Sequence, residues 1–157
     1  MRSAYVLIAL TLAACGQQQP AQAPVTVDPA LAPYMASFES DIGVSSAGIS
    51  AQFADTSVYA NPLGETVGEC TVWTSNGTVT QRVIQIDSVY WNTLDQYGKI
   101  QLFYHEMGHC ALYMQHITTD NGPGGCYTSI MYPIVFGETP CYQNNVSYYF
   151  QELSSHK

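Results

Sequence analysis

Apolar residues along the chain recur with two periods, one typical of helices and the other of strands. Leu31, Met35 and Phe38 lie at helical spacing and predict an amphipathic helix over residues 30–40. Weaker alternation of apolar and polar residues predicts strands in the middle of the chain. The predicted strands span residues 47–53, 67–73 and 78–87. Between the last two, Asn76 and Gly77 form a strong hairpin signal.

A longer helical pattern follows the predicted hairpin. It begins near Trp91, with Asn92 or Thr93 as its cap, and continues for about five turns. A last helix is predicted over residues 146–153. Strands followed by helices in this order predict an α+β fold, in which a small, twisted, mainly antiparallel sheet packs on the long helix.

The long helical pattern carries the residues with the clearest chemistry. His105 and His109 are four residues apart, so both imidazoles leave the same face of a helix and can bind one zinc ion. Glu106 lies beside the first histidine, where it can reach water on that ion and act as a general base. The neighbouring side chains are apolar, and buried polar groups without partners are costly. An incidental pair of histidines is therefore the weaker interpretation.

Sequence spacing alone does not identify the third metal ligand. His116 lies seven residues after His109, which on a continuous helix would place it about 10 Å further along the axis. The helix must therefore end near Met114 if His116 is to bend back to the ion. Otherwise His116 is a surface residue, and Asp120 is the alternative ligand. Because catalytic zinc usually takes three protein ligands, we predict His116 as the third.

Two motifs together resemble the metzincin clan of zinc peptidases. Residues 105–109 read His-Glu-Met-Gly-His, and residues 129–133 read Ser-Ile-Met-Tyr-Pro. The clan pattern is H-E-x-x-H-x-x-G-x-x-H followed by a Met-turn. This chain departs from it at two points: Leu112 stands where the clan has glycine, and the third histidine comes one residue late, at His116.

The resemblance implies a zinc-dependent endopeptidase that hydrolyses peptide bonds with a zinc-activated water and Glu106 as its general base. It implies one zinc ion on the three histidines and a metzincin-like fold with a mixed sheet and a C-terminal helix, in which Met131 packs beneath the ligands. It also implies that the strand over residues 78–87 binds peptide through its backbone; the alternative is an ordinary inner strand. The alternative to an enzyme is a zinc- or peptide-binding envelope lipoprotein without turnover.

The N terminus carries an export pattern. Residues 1–14 combine a short positive start with an apolar run that is too short to span a bilayer, as in a secretory signal peptide. Their end, with Cys15, resembles the lipobox of bacterial lipoproteins, in which that cysteine receives a lipid; the alternative is an ordinary signal peptide. The composition of residues 15–29 predicts a flexible tether, followed by the domain over residues 30–157. We expect a lipid-anchored protein of the bacterial envelope, at the outer membrane.

Charge and cysteine content narrow the function further. Twelve acidic and four basic residues give a formal net charge of −8, which argues against a nucleic-acid partner and favours cationic or neutral peptides over acidic ones. A peptide or protein substrate is what the metzincin resemblance implies. After the lipobox cysteine, Cys70, Cys110, Cys126 and Cys141 imply two disulfides in an exported domain. Three pairings are open. We predict Cys110–Cys126, which would tie the glycine-rich loop after the histidines to the long helix, and Cys70–Cys141.

Overall fold

The computed structural model describes residues 23–54, 60–61 and 64–157, so the predicted signal peptide and Cys15 lie outside the described residues. Its elements, in chain order, are α1 (Ala32–Ile42), β1 (Ile49–Ala54), β2 (Ala60–Asn61), β3 (Gly64–Glu65), β4 (Gly68–Ser75), β5 (Thr78–Asp87), α2 (Ser88–Thr93), α3 (Gln96–Leu112), a 3₁₀ turn (Pro123–Gly125), α4 (Pro140–Gln143) and α5 (Val146–Ser154). The predicted α+β class is confirmed, with a small sheet and several helices. Within this part of the chain, no helix has the length and apolar character needed to cross a membrane.

Strands β1, β5 and β4 form a three-stranded sheet in that order, and β2 and β3 form a separate antiparallel pair. Strand β5 pairs antiparallel with β4 across the predicted hairpin, where Asn76 and Gly77 both have positive φ, 50° and 76°. Strand β5 also pairs in parallel with β1. The sheet is therefore mixed rather than mainly antiparallel.

The strand order corrects one expectation about peptide binding. Residues 82–87 of β5 pair with both β1 and β4, so the alternative of an ordinary inner strand holds there, and the prediction that these residues bind a peptide through their backbone is wrong. The edge strand on the hairpin side is β4. Within the described parts of the chain, no strand pairs with its outer edge.

At the other edge of the sheet, residues from the predicted tether pair with strand β1. Ala51 on β1 donates a backbone hydrogen bond to Thr26 at 3.0 Å, and Asp28 donates one to Ala51 at 2.8 Å. Val27 forms a parallel bridge with the same residue. The sequence places residues 26–28 in the flexible tether, but backbone pairing of this kind does not depend on side-chain composition. Residues 26–28 of the predicted tether therefore pair with the sheet.

Helix α3 packs on one face of the sheet and forms the centre of the core. The buried residues of the sheet that face it include Ile49, Ala51, Ile84 and Ile86. Helix α1 packs on α3 through Phe38, whose ring meets Tyr104 edge to face at 5.1 Å. On α5, Tyr149 and Leu153 are buried in the same core. The helix that carries the histidines is thus covered by apolar groups from several elements.

The long helical pattern is two helices rather than one. Asp87 caps α2 by accepting hydrogen bonds from the backbone N–H groups of Val89 and Tyr90. Leu94 is extended and ends α2, and Asp95 then caps α3 by accepting a hydrogen bond from Gly98 N at 2.8 Å. The predicted caps Asn92 and Thr93 lie inside α2, so that prediction is wrong; carboxylate caps at both helix starts take their place.

Candidate metal centre

The end of α3 reverses the chain. Tyr113 adopts a left-handed conformation, φ 56° and ψ 26°, and its backbone N–H donates to Gly108 O. Met114 N donates to the same carbonyl at 3.0 Å. The prediction that the helix must end near Met114 is confirmed. A left-handed residue is normally glycine, and here a tyrosine takes that conformation, which costs about 1–2 kcal/mol.

The reversal brings His105, His109 and His116 together. Their Nε2 atoms form a nearly equilateral triangle, with sides of 3.1 Å from His109 to each of the others and 3.2 Å between His105 and His116. Nitrogens at these separations could together hold one ion at the roughly 2.0–2.1 Å that zinc–nitrogen bonds require. The three histidines can therefore hold one metal ion.

Two backbone carbonyls orient the helical histidines. His105 donates from Nδ1 to Ile130 O at 2.9 Å, and His109 donates from Nδ1 to Met114 O at 2.7 Å. Since a carbonyl can only accept, both Nε2 atoms carry lone pairs, and these face each other at 3.1 Å. Two such lone pairs repel unless a cation lies between them. The arrangement fits a bound metal, whose histidine ligands commonly donate their second N–H in this way.

The electrostatic surroundings keep the helical histidines neutral. Burial lowers the pKa of His105 to about 4, and its neighbours His109 and His116 add to that effect. Burial also lowers the pKa of His109. Metal binding requires the neutral imidazole, so both groups are in the binding form at neutral pH.

Glu106 lies on the sheet side of α3, with 3% of its surface exposed. Its carboxylate rests against Gly68 of edge strand β4, where a Cβ atom would come within 2.5 Å of Oε1. Burial raises the pKa of Glu106 to about 8, and the negative charge of Glu69 adds to the shift. A cation on the histidines would oppose this shift and favour the carboxylate. In the metal-free protein, Glu106 therefore holds its proton more tightly than an ordinary glutamate does.

Met131 packs against α3 beside the histidines. Its side chain is fully buried, and a Cβ atom at Gly108 would collide with its Sδ atom. Met131 O also accepts a hydrogen bond from Ile117 N at 3.1 Å, which joins the segment after His116 to this turn. The turn over residues 129–132 is called the methionine turn below.

Glu152 on α5 anchors the methionine turn, and sequence reasoning missed it. Its carboxylate accepts hydrogen bonds from the Ser129 hydroxyl and, at 3.0 Å, from Ile130 N. Ile130 is also the residue whose carbonyl orients His105. One glutamate on an otherwise ordinary amphipathic helix gives no local signal, because its partners are 22 and 23 residues away.

The disulfides differ from the predicted pairs. Cys70 on β4 bonds to Cys110 on α3, and Cys126 after the 3₁₀ turn bonds to Cys141 on α4, with Cα–Cα distances of 5.5 and 5.6 Å. The predicted Cys110–Cys126 and Cys70–Cys141 pairs are wrong. The reason is that α3 packs along β4, so the side chains of Cys70 and Cys110 meet between strand and helix.

One other candidate ligand lies outside the cluster. Asp120, the alternative third ligand, is not part of the group that can hold an ion; His116 takes that place. Tyr132, which follows the buried methionine, stacks on Tyr127 with ring centroids 3.8 Å apart.

Comparison of the chain with protein-family models, with curated proteins and with solved structures finds no match. The three-histidine cluster beside a buried glutamate is the feature from which we infer a function.

Proposed function

We propose that this protein is a zinc-dependent endopeptidase of metzincin-like type. The observation that carries the proposal is the triangle of three Nε2 atoms with Glu106 directly after the first ligand, on a helix that adjoins an edge strand. Catalytic zinc sites typically have three protein ligands and one open position. The Met131 contact with Gly108 is consistent with the role that the clan resemblance gives to this methionine.

The donor set favours zinc. Three imidazole nitrogens within 3.2 Å of one another suit this ion. All four cysteines among the described residues form disulfides, so none of them offers a thiolate that would indicate a structural site. When bound, zinc supplies a Lewis acid that activates water and polarises a carbonyl group.

The residues of the chain then divide the work of hydrolysis. His105 and His109 are oriented by the carbonyls of Ile130 and Met114, which limits reorganisation when the ion binds. Glu106 accepts a proton from the attacking water and passes it to the nitrogen of the leaving amine. Its buried position against Gly68 keeps bulk water away from the carboxylate.

A peptide substrate is favoured by the edge of the sheet. The outer edge of β4 has no strand partner among the described residues, so an extended peptide could add to it through backbone hydrogen bonds. Because Gly68 on this strand touches Glu106, a peptide bound there would pass close to the base. This edge replaces residues 78–87 as the proposed peptide-binding strand.

The cellular setting that we propose follows from the N-terminal pattern. Residues 1–14 would direct export, and lipid on Cys15 would anchor the domain at the outer membrane of a bacterial envelope. Peptides or proteins in that compartment would be the substrates.

The test is hydrolysis of a mixed library of unfolded peptides by zinc-loaded protein, with Glu106→Gln as the matched variant. We expect the wild type to cut and the variant to bind one zinc but lose about 10²–10⁴-fold in rate, the usual contribution of a general base. If both bind zinc and neither cuts, the protein is a zinc- or peptide-binding module. If neither binds zinc, the proposal is wrong.

A further inference from the structure

Glu69 occupies a distinctive place on β4. It follows Gly68, whose backbone touches Glu106, and precedes Cys70, which is bonded to α3. Since successive side chains of a strand alternate between faces, Glu69 points to the face opposite Cys70, away from the helix. Its side chain is exposed. Glu69 is therefore an accessible carboxylate on the edge strand, one residue from the contact with the general base.

The carboxylate of Glu69 differs from most other acidic side chains of the described residues in the hydrogen bonds that it accepts. Most acidic side chains described in the structure accept hydrogen bonds that hold a helix start, a turn or a neighbouring element. These are Asp28, Glu39, Asp41, Asp87, Asp95, Glu138 and Glu152. No hydrogen bond joins Glu69 to another side chain or backbone group of the described residues.

The cationic side chains that the structure describes are engaged elsewhere. Arg82 donates to the carbonyls of Cys110 and Ala47, at 3.1 and 2.6 Å. Lys99 lies 5.8 Å from the ring centroid of Trp91. Lys157 approaches the C-terminal cap of α1 at Gly43. None of these three forms an ion pair with Glu69, so its charge is open to a ligand.

We propose that Glu69 selects peptide substrates with a lysine or arginine side chain close to the scissile bond. This inference rests on the proposed function and names the substrate class of the same site. A peptide added to the free edge of β4 places the residue opposite Glu69 on the same face, with the two Cβ atoms about 4.5–5.5 Å apart. At that distance opposite charges attract and like charges repel. The excess of acidic over basic residues in the chain acts in the same direction.

The experiment measures equilibrium binding, so that it does not depend on turnover. The zinc-loaded Glu106→Gln protein is titrated into N-acetylated, dye-labelled peptide pools, and fluorescence anisotropy is recorded. The pools carry Lys, Gln or Glu at one position and uncharged residues elsewhere. The same titrations follow in Glu69→Gln, in the charge reversal Glu69→Lys, and in Glu39→Gln. The last is the control, because it removes one negative charge on α1 and keeps an acceptor for Ser46.

We expect the Lys pool to bind about fivefold more tightly than the Gln pool, and the Glu pool to bind most weakly, the range of a partly exposed ion pair. Glu69→Gln should bring the three pools within about twofold, Glu69→Lys should reverse their order, and Glu39→Gln should keep the original order. A Lys preference that survives Glu69→Gln, that is lost equally in Glu39→Gln, or that never appears overturns the assignment.

Parallel hydrolysis by the wild type separates the two proposals. If the Lys pool binds through Glu69 but is not cut, the endopeptidase proposal fails and Glu69 remains a peptide-selecting residue. If peptides are cut at equal rates with and without the Glu69 charge, the endopeptidase proposal stands and the role of Glu69 is wrong.

Discussion

Helix α3 is held from two sides by different kinds of contact. On the side of the sheet, a disulfide links it to β4. Cys70 on β4 is bonded to Cys110 on the helix. Gly68 on the same strand lies against Glu106. Arg82 on β5 donates a hydrogen bond to the carbonyl of Cys110, near the end of α3. The contacts on this side therefore concentrate on Glu106 and on the C-terminal turn of the helix.

On the other side, the methionine turn meets α3 through hydrogen bonds and close packing. Ile130 O accepts the Nδ1 hydrogen of His105, and Met131 fills the space that Gly108 leaves. Glu152 on α5 holds this turn in place. The contacts on this side concentrate on the ligands.

The comparison teaches that the proposed base Glu106 and the three-histidine cluster have separate supports on one helix. Changes on the sheet side should alter hydrolysis with little effect on zinc affinity. Changes on the side of the methionine turn should alter zinc affinity first, and hydrolysis as a consequence.

The largest effect should come from the two disulfides, of which Cys70–Cys110 alone is attached to α3. Replacing Cys70 and Cys110 with alanine opens a loop of 40 residues and should lower the free energy of unfolding by about 4 kcal/mol. Replacing Cys126 and Cys141 opens a loop of 15 residues and should lower it by about 3 kcal/mol. Urea unfolding of the two double variants measures both values. If removing Cys126–Cys141 lowered the free energy of unfolding more than removing Cys70–Cys110, the Cys70–Cys110 disulfide would not be the main support of α3 on the side of the sheet.

Two glycine substitutions should separate the sides more sharply. In Gly108→Ala the added methyl group meets Met131, which should cost about 1–3 kcal/mol of stability and weaken zinc binding. In Gly68→Ala the methyl group meets the Glu106 carboxylate and displaces the base, so hydrolysis should fall about 10²-fold while zinc affinity stays within a few-fold. Zinc titration and peptide hydrolysis on both variants are the measurements. If the two variants lose both properties in equal proportion, the supports are not separate.

Much of the site could be predicted because its determinants are local. The four-residue spacing of His105 and His109 fixes a shared helix face whatever the rest of the chain does. The requirement that His116 return to the same ion fixes the end of the helix near Met114. The turn signal of Asn76 and Gly77 likewise fixes the hairpin.

What could not be predicted depends on contacts between distant parts of the chain. The parallel pairing of β1 with β5 joins residues more than 30 positions apart, and it turns β5 into a middle strand. The pairing of Cys70 with Cys110 follows from how α3 lies on β4, which local patterns do not encode. Glu152 acts on a turn more than 20 residues earlier, again without a local signal.

A smaller effect is expected at Glu152. The Glu152 carboxylate accepts one hydrogen bond from Ser129 and one from Ile130 N, each at a different oxygen. In Glu152→Gln an NH₂ group, which can only donate, replaces one of these oxygens. The methionine turn should loosen, and zinc affinity should fall about tenfold, the low end for groups that support a metal ligand indirectly. Competition with a chelator of known affinity gives the value. Glu138→Gln, which changes a carboxylate bonded to Asp95 N, is the control and should leave zinc affinity unchanged.

The smallest effect is a pH dependence of the metal-free protein. The folded pKa of Glu106, about 8, lies above its ordinary value of 4.5, so the folded state holds a proton that the unfolded state has released. Stability should therefore fall as pH rises from 6.5 to 8, by at most about 1.4 kcal/mol per pH unit. Glu106→Gln should abolish this slope. Between about pH 6.5 and 4.5 the lowered pKa of His105 contributes a slope of opposite sign, which should largely offset that of Glu106, and only below about pH 4.5 does the His105 slope act without it. Chemical unfolding at several pH values tests both limbs.

The most direct test of the account is X-ray absorption spectroscopy at the zinc edge, on protein loaded with one equivalent of zinc. Three histidine ligands predict a shell of about four nitrogen or oxygen atoms at about 2.0–2.1 Å, with the outer scattering typical of imidazole rings. The imidazole signal should be lost or reduced in His109→Ala. A sulfur shell at about 2.3 Å, or a spectrum without imidazole scattering, would contradict the assignment of His105, His109 and His116 as the metal site.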